Sequence, residues 1–316
     1  MNSLIIPVYK NEENIPHLLQ ALKSLDQQVS NLEIVFVVDG SPDASARMLS
    51  ELLPTSGLTA QLLLLSRNFG SFAAIRAGLQ AARGEHFAVM AADLQEPLEL
   101  IATFFKELTC EPVDIVIGVR ESRSDPCLSK FASNMFWRLY KKFIVSEMPN
   151  GGVDVFACNL LFRNYLIQLD ESHSSLVALI FWMGFRRKEV SYVRQARQHG
   201  KSAWTFRKKY NYLKDSIFSF TDVPIKLLSW VGTIGILVSV FLALCVLIGR
   251  LFGLINIPGY SATVLIVIFF GALNLLGLGI VGTYTWRTYE NTKRRPSSLV
   301  MKKMQYESPS QNEEEL

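Results

Sequence analysis

The chain has few cysteines, and none at a useful spacing. Cys110, Cys127, Cys158 and Cys245 form no paired pattern of the metal-binding or disulfide kind, so they read as free thiols. Glycine-rich phosphate loops are also missing. Neither G-x-G-x-x-G nor a P-loop occurs, which disfavours a dinucleotide site and phosphoryl transfer. The cations lack the interleaved aromatics of an RNA-binding surface, so nucleic acid is not an expected partner. Nothing resembling a charged n-region with a cleavage site precedes "SLIIPVY", so no signal peptide is expected.

Charge is absent where hydrophobicity is densest. Leu227 to Ile248 and Ala262 to Tyr284 are almost uncharged, and each has the roughly 20 residues a helix needs to cross about 30 Å of hydrocarbon. Two buried core helices are the alternative. The short loop with Pro258 and Gly259 between the runs favours a membrane hairpin. Arg207, Lys208, Lys209, Lys214 and Lys226 precede the first run, and Arg287, Lys293, Arg294, Arg295, Lys302 and Lys303 follow the second, which puts both ends in the cytoplasm. Arg250 in the loop is the contrary cation, long enough to snorkel. Just before the spans, Phe206, Tyr210, Leu213, Ile217 and Phe220 recur at helical spacing while Lys208, Lys209 and Lys214 reach water, the pattern of an interfacial amphipathic helix. The net charge of +4 hides a basic belt from Arg186 to Lys226, suited to anionic lipid or phosphate-bearing substrates, and an acidic end, "NEEEL", read as solvated disorder.

The first 120 residues alternate apolar runs with amphipathic segments, the pattern of an α/β fold with a parallel sheet wrapped by helices. "SLIIPVY", "LEIVFVVDG", "TAQLLLLSR", "EHFAVMAAD" and "VDIVIGVR" read as five strands. Ligands of such sheets sit at the carboxyl ends of the strands. There the chain places Pro7, Tyr9 and Glu12 after the first strand, Asp39 after the second, Arg67 and Asn68 after the third, and Asp93 and Gln95 after the fourth. Turn chemistry accounts for each loop singly. A nucleotide-binding crevice accounts for all four together.

In order, "IIPVYKNEENI", "VVDGSPD", "LSRNFGSFAAIRAGLQAARGE", "AADLQEP", "GGVDVF" and "HGKSAW", followed by two spans, closely resemble the family-two glycosyltransferases of GT-A fold that load a sugar onto a polyprenyl phosphate. The resemblance covers roughly Leu4 to Arg287. It implies a Rossmann-like, mostly parallel GT-A domain over residues 1–204, an interfacial helix over 205–225, two spans within 226–286 and a cytoplasmic tail over 287–316. It implies inverting transfer from a nucleotide sugar to a polyprenyl phosphate, with undecaprenyl phosphate suggested by the bacterial look of the chain, at the cytoplasmic face of an inner membrane, serving cell-envelope glycan or lipopolysaccharide modification. A homo-oligomer is left open.

By that resemblance Pro7, Tyr9, Glu12 and Asp39 match the nucleotide pocket, flanked by Arg67 and Asn68. Asp93 matches the second acid of the family's Asp-x-Asp and Gln95 the glutamine beyond it, together the place of a divalent cation, Mg²⁺ or Mn²⁺, on the donor diphosphate. The chain departs twice: Ala91 stands where the family has the first acid, and Val38 where many members begin "DDGS". Mg²⁺ needs only one or two carboxylates when substrate phosphates supply other oxygens, so Asp93 and Gln95 with the diphosphate suffice for a thinner site. Asp154 matches an acid near the reacting centre, as base or as positioner. Arg194, Arg197, Gly200, Lys201 and Ser202 match a loop that grips the acceptor phosphate, and its two arginines suit forked contacts. Two other functions compete. Two spans and the lack of a "QxxRW" motif weaken a polysaccharide synthase, and only Ala91 speaks for a catalytically silent scaffold that binds nucleotide sugar or lipid.

Overall fold

A computed structural model describes residues 1–120, 141, 147, 149, 153, 155–169, 175–195, 214–221, 223–252 and 259–307. It divides into two compact units, Met1–Asn211 with Pro296–Leu316, and Tyr212–Arg295.

In the first unit the expected alternation appears as β1 (Asn2–Val8), α1 (Ile15–Gln28), β2 (Leu32–Val38), α2 (Ser45–Leu52), β3 (Ala60–Leu65), α3 (Ser71–Ala81), β4 (His86–Val89), α4 (Leu98–Cys110) and β5 (Ile115–Arg120). There follow β6 (Phe156–Asn159), α5 (Leu160–Gln168), α6 (Leu176–Trp182) and β7 (Arg187–Tyr192). The eight-stranded sheet has the order β7-β5-β6-β4-β1-β2-β3-β8, where β8 is Val300–Tyr306. The parallel pairs are β1 with β2 and β4, β2 with β3, and β5 with β7. Because β6 runs antiparallel to both β4 and β5, β5 and β7 point the same way as β1 to β4, and only β6 and β8 run against them. The carboxyl ends of six strands therefore share one edge.

The hydrophobic pattern explains these elements. β2 is buried at every position, as a central strand covered on both faces must be. α1 turns Ile15, Leu18, Leu19, Leu22 and Leu25 to the core, the face expected from its spacing. α3 lies so close to the sheet that a Cβ on Gly78 would meet Ile5 Cγ2 at 2.4 Å, so glycine is what permits that approach.

Three strands escape the sequence pattern. β6 is only four residues long, and β7, "RKEVSY", hides in the basic belt. Arg186 forks onto Asp114 with Nε–Oδ2 and Nη2–Oδ1 contacts of 2.9 Å, and Lys188 pairs with Glu107, so much of that belt is already spent on ion pairs. β8 corrects the expectation of a disordered tail over 287–316: residues 300–306 pair antiparallel with β3, from Ala60 opposite Tyr306 to Leu65 opposite Val300. Alternation is the reason. Met304 and Tyr306 face the core while Lys303 and Gln305 stay exposed, and β3 would otherwise end the sheet. Lys302 and Lys303 therefore belong to a strand.

The second unit contains α7 (Lys214–Phe220), α8 (Val223–Leu251) and α9 (Tyr260–Thr292). The two runs expected to span a bilayer lie in α8 and α9. Among the described residues one helix, Phe269–Thr292, is long and apolar enough to cross a membrane, and a second candidate exists if α7 and the bent start of α8 count as one span. Residues 205–213 of the expected interfacial helix lie outside the described residues, and the expected boundary at 225 gives way to the start of α8 at Val223. Arg287, counted above as a flanking cation, donates to Asp215 Oδ1 at 2.6 Å and to Ser219 Oγ at 2.9 Å, tying α9 to α7.

Candidate active site

The nucleotide-side residues come together as the strand-end rule requires. Asp39, 2% exposed, is fixed at the end of β2 by its N–H, which donates to Val8 O at 3.0 Å. Its two carboxylate oxygens accept the Phe69 and Gly70 amides at 2.7 and 2.8 Å, and its carbonyl accepts Asn68 Nδ2 at 3.3 Å. Asp39 thus holds the loop after β3 in place. Gly40 makes the contact possible: its φ is +54°, and a Cβ there would lie 2.2 Å from the Arg67 carbonyl carbon. Arg67 is exposed, with its guanidinium 4.0 Å from the Phe69 ring centroid.

The loop after β1 is stitched to the loop after β2. Pro7 and Tyr9 are half-buried at the end of β1, and Tyr9 N–H donates to Asn11 Oδ1 at 3.2 Å. Glu12 Oε2 accepts the Ala44 amide at 2.8 Å while Glu12 N–H donates to Asp43 Oδ2 at 3.2 Å. Lys10 and Asn11 amides reach Ser41 Oγ and Ser45 Oγ. Burial opposes ionisation of Asp43, but the Ser41, Ser45 and Glu12 donors outweigh it and hold the carboxyl below its usual range. Glu12 and Asp39, expected as direct binders, are both loop-holding carboxylates here.

The other half of the edge gathers around the turn after β4. Leu94 takes φ +52°, a strained conformation for a bulky residue, and lets Gln95 N–H approach Asp93 Oδ1 at 3.4 Å. Gln95 bridges to the segment after β7: Gln195 N–H donates to Gln95 O at 2.9 Å, Gln95 Nε2 donates to Gln195 O at 3.3 Å, and the Arg194 guanidinium donates to Gln95 Oε1. Glu96 is buried beside them. Burial, then the neighbouring Asp93, push its carboxyl above the usual range, against the pull of Arg194 and Arg120. Arg120 ends β5 opposite Tyr192 of β7, and its Nε lies 3.5 Å from the Tyr192 hydroxyl, which burial raises.

Asp93, Gln95 and Arg194 thus meet, as expected. Asp154, Arg197, Gly200, Lys201 and Ser202 lie outside the described residues. Glu96, Arg120 and Tyr192 were not expected at the site; Arg120 was open to the strand-end rule, since it closes the fifth strand. Among the described residues no group of three or more His, Cys, Asp or Glu side chains is placed to hold a metal. The Gln95 amide oxygen, expected as a ligand, already accepts from Arg194. The donor set fits a hard cation only in its thinnest form, with Asp93 as the protein carboxylate and a bound diphosphate and water supplying other oxygens.

Residues 3–170 match the family model described as glycosyl transferase family 2. CsbB of Bacillus subtilis strain 168, which carries a glycosyltransferase name, is 33% identical over 299 residues, 94% of this chain and 90% of the relative. The undecaprenyl-phosphate 4-deoxy-4-formamido-L-arabinose transferase of Proteus mirabilis strain HI4320 is 30% identical over 99% of this chain and 97% of its own length. A prophage bactoprenol glucosyl transferase homolog of Escherichia coli strain K12 is 28% identical over 94% of this chain and 97% of its own length. With a mostly parallel α/β sheet of GT-A type, a loop-framed cleft along its carboxyl edge and a family match across more than half its length, this chain belongs to glycosyl transferase family 2.

Proposed function

We propose that this glycosyltransferase moves a sugar, with inversion, from a nucleoside diphosphate donor to a polyprenyl phosphate such as undecaprenyl phosphate. The observation that carries the reading is the division of one sheet edge into two halves. Loops after β1, β2 and β3 frame a nucleotide-sized recess around Asp39, and the ends of β4, β5 and β7 bring Asp93, Arg120 and Arg194 together. The relatives named for undecaprenyl phosphate and bactoprenol supply the acceptor class.

The chemistry follows from the charges. A lipid monophosphate, with a second pKa of about 6, is largely dianionic at neutral pH. It needs orientation and charge compensation more than a base. Arg194, with Arg197 and Lys201 of the same loop and Ser202 and Gly200 beside them, would grip it. One phosphate oxygen then attacks the anomeric carbon as the bond to the diphosphate breaks, and the nucleoside diphosphate leaves with the electron pair. Asp154 would orient the acceptor or a sugar hydroxyl. Asp93 would hold a divalent cation, which supplies charge neutralisation on the departing diphosphate.

The site would face the cytoplasm beside an inner membrane spanned by α8 and α9 as a hairpin, with both termini on the same side. The cations Lys226, Lys293, Arg294 and Arg295 at the ends of these helices support that orientation. The amphipathic segment before them would bring the cleft to headgroup depth. An envelope-glycan role follows from the acceptor class.

The test is incubation of the purified full chain and undecaprenyl phosphate with a panel of UDP-, GDP- and dTDP-sugars, with lipid products read by mass spectrometry. A glycosylated lipid phosphate from one donor is expected. Sugar appearing only in water-soluble products would refute the acceptor assignment.

A further inference from the structure

We infer that Glu96 is a positioning residue whose buried carboxyl is the counter-charge that holds the Arg120 and Arg194 side chains at the Asp93 end of the cleft. The inference rests on the proposed reading of Arg194 as an acceptor-phosphate contact and names what aims it.

Glu96 is 3% exposed, and Pro97, extended at φ −62° and ψ 139°, fixes it immediately before α4. Among the described residues its Oε2 is enclosed without a hydrogen-bond partner, and so is Arg194 Nε. A carboxyl shut away from water is costly unless a charge faces it. Arg194 is at hand: it donates to the side chain of Gln95, the residue next to Glu96, and the Gln195–Gln95 backbone bond of 2.9 Å pins the loop there. Arg120 arrives from the neighbouring strand, in register with Tyr192, two residues before Arg194. Both guanidinium groups act on the Glu96 carboxyl, which itself points into no open recess. Glu96 therefore acts through the arginines and touches no substrate.

Glu96→Gln keeps the volume and removes the charge. Steady-state kinetics with undecaprenyl phosphate as varied acceptor should show KM raised about tenfold, with donor KM and kcat within about twofold of wild type. Glu96→Asp, which keeps the charge on a shorter stem, should recover part of that loss. In combination with Arg194→Ala, Glu96→Gln should add almost nothing, because the partner it aims is gone. A merely structural role would lower the melting temperature and weaken donor and acceptor alike. That result overturns the inference, as do fully additive effects in the double variant or a wild-type acceptor KM in Glu96→Gln alongside a raised one in Arg194→Ala. An unchanged acceptor KM in Arg194→Ala itself overturns the acceptor reading and the inference with it. Should Glu96→Gln fail to accumulate, Glu96→Asp decides: a raised acceptor KM at unchanged donor KM supports the role, and a wild-type value refutes it.

Discussion

Replacing Gly40 with alanine should disable donor binding through two effects that the structure separates. The first is backbone strain: at φ +54° an L-residue pays about 1–2 kcal/mol. The second is collision. The new Cβ would sit 2.2 Å from the Arg67 carbonyl carbon and 2.4 Å from Asn68 N, backbone atoms that cannot swing aside as a side chain tip would. Relief needs the 67–68 backbone to retreat by about 1 Å, and that motion drags Phe69 and Gly70 off the Asp39 carboxylate, where each amide bond to a charged acceptor is worth about 1.5–3 kcal/mol. Loss of even one predicts nucleotide affinity down by about one to two decades. Gly57 is the natural control. Its φ is +73° with nothing within 4 Å of where a Cβ would stand, so Gly57→Ala carries the strain alone. Isothermal titration of UDP and GDP into the three proteins, beside thermal melts, is the assay. Both variants should lose stability, and only Gly40→Ala should lose nucleotide affinity. Wild-type affinity in Gly40→Ala, or equal losses in both, would refute the idea that the loops after β2 and β3 frame the nucleotide.

Other consequences are as direct. Glu33 is fully buried and accepts from Ser3 Oγ at 2.8 Å, Gln61 Nε2 at 2.7 Å and Arg83 Nε at 2.6 Å; although burial opposes it, these donors together hold its carboxyl below the usual range. Its stabilising contribution is therefore present above the unfolded value of about 4.3 and fades as pH falls through the lower folded value, so Glu33→Gln should flatten the acid limb of a stability curve while lowering stability at neutral pH by about 2 kcal/mol. A stop codon after Pro296 removes β8, whose neighbour Leu299 accepts the Ser66 amide at 3.0 Å beside the donor loop; it should weaken nucleotide binding, whereas ending the chain at Glu307 should not, and equal affinity in both truncations would reject a role for the strand. Turnover should stop in excess EDTA and return with Mg²⁺ or Mn²⁺, and undiminished turnover by the stripped enzyme would remove Asp93 from a metal role.

Period and strand ends made much of this protein legible in the sequence alone. Runs such as Leu32–Val38 and the apolar stripe of α1 fix strand and helix locally, because alternation and 3.6-residue spacing depend only on near neighbours. The placing of Asp39, Asn68 and Asp93 on one edge follows from strands that all point one way, which the intervening helices enforce. Tertiary structure decided the rest. Nothing local announces that residues 300–306 cross back to pair with β3, since a seven-residue strand with two lysines gains its stability from a partner near the other end of the chain. Nor does the spacing of Asp39 and Glu12 reveal that their carboxylates are spent on backbone amides, for that depends on which loops the sheet order sets side by side. Glu96 is the clearest case: as a residue in a polar turn it reads as solvent-facing, and only the approach of β5 and β7 shuts it from water among two arginines.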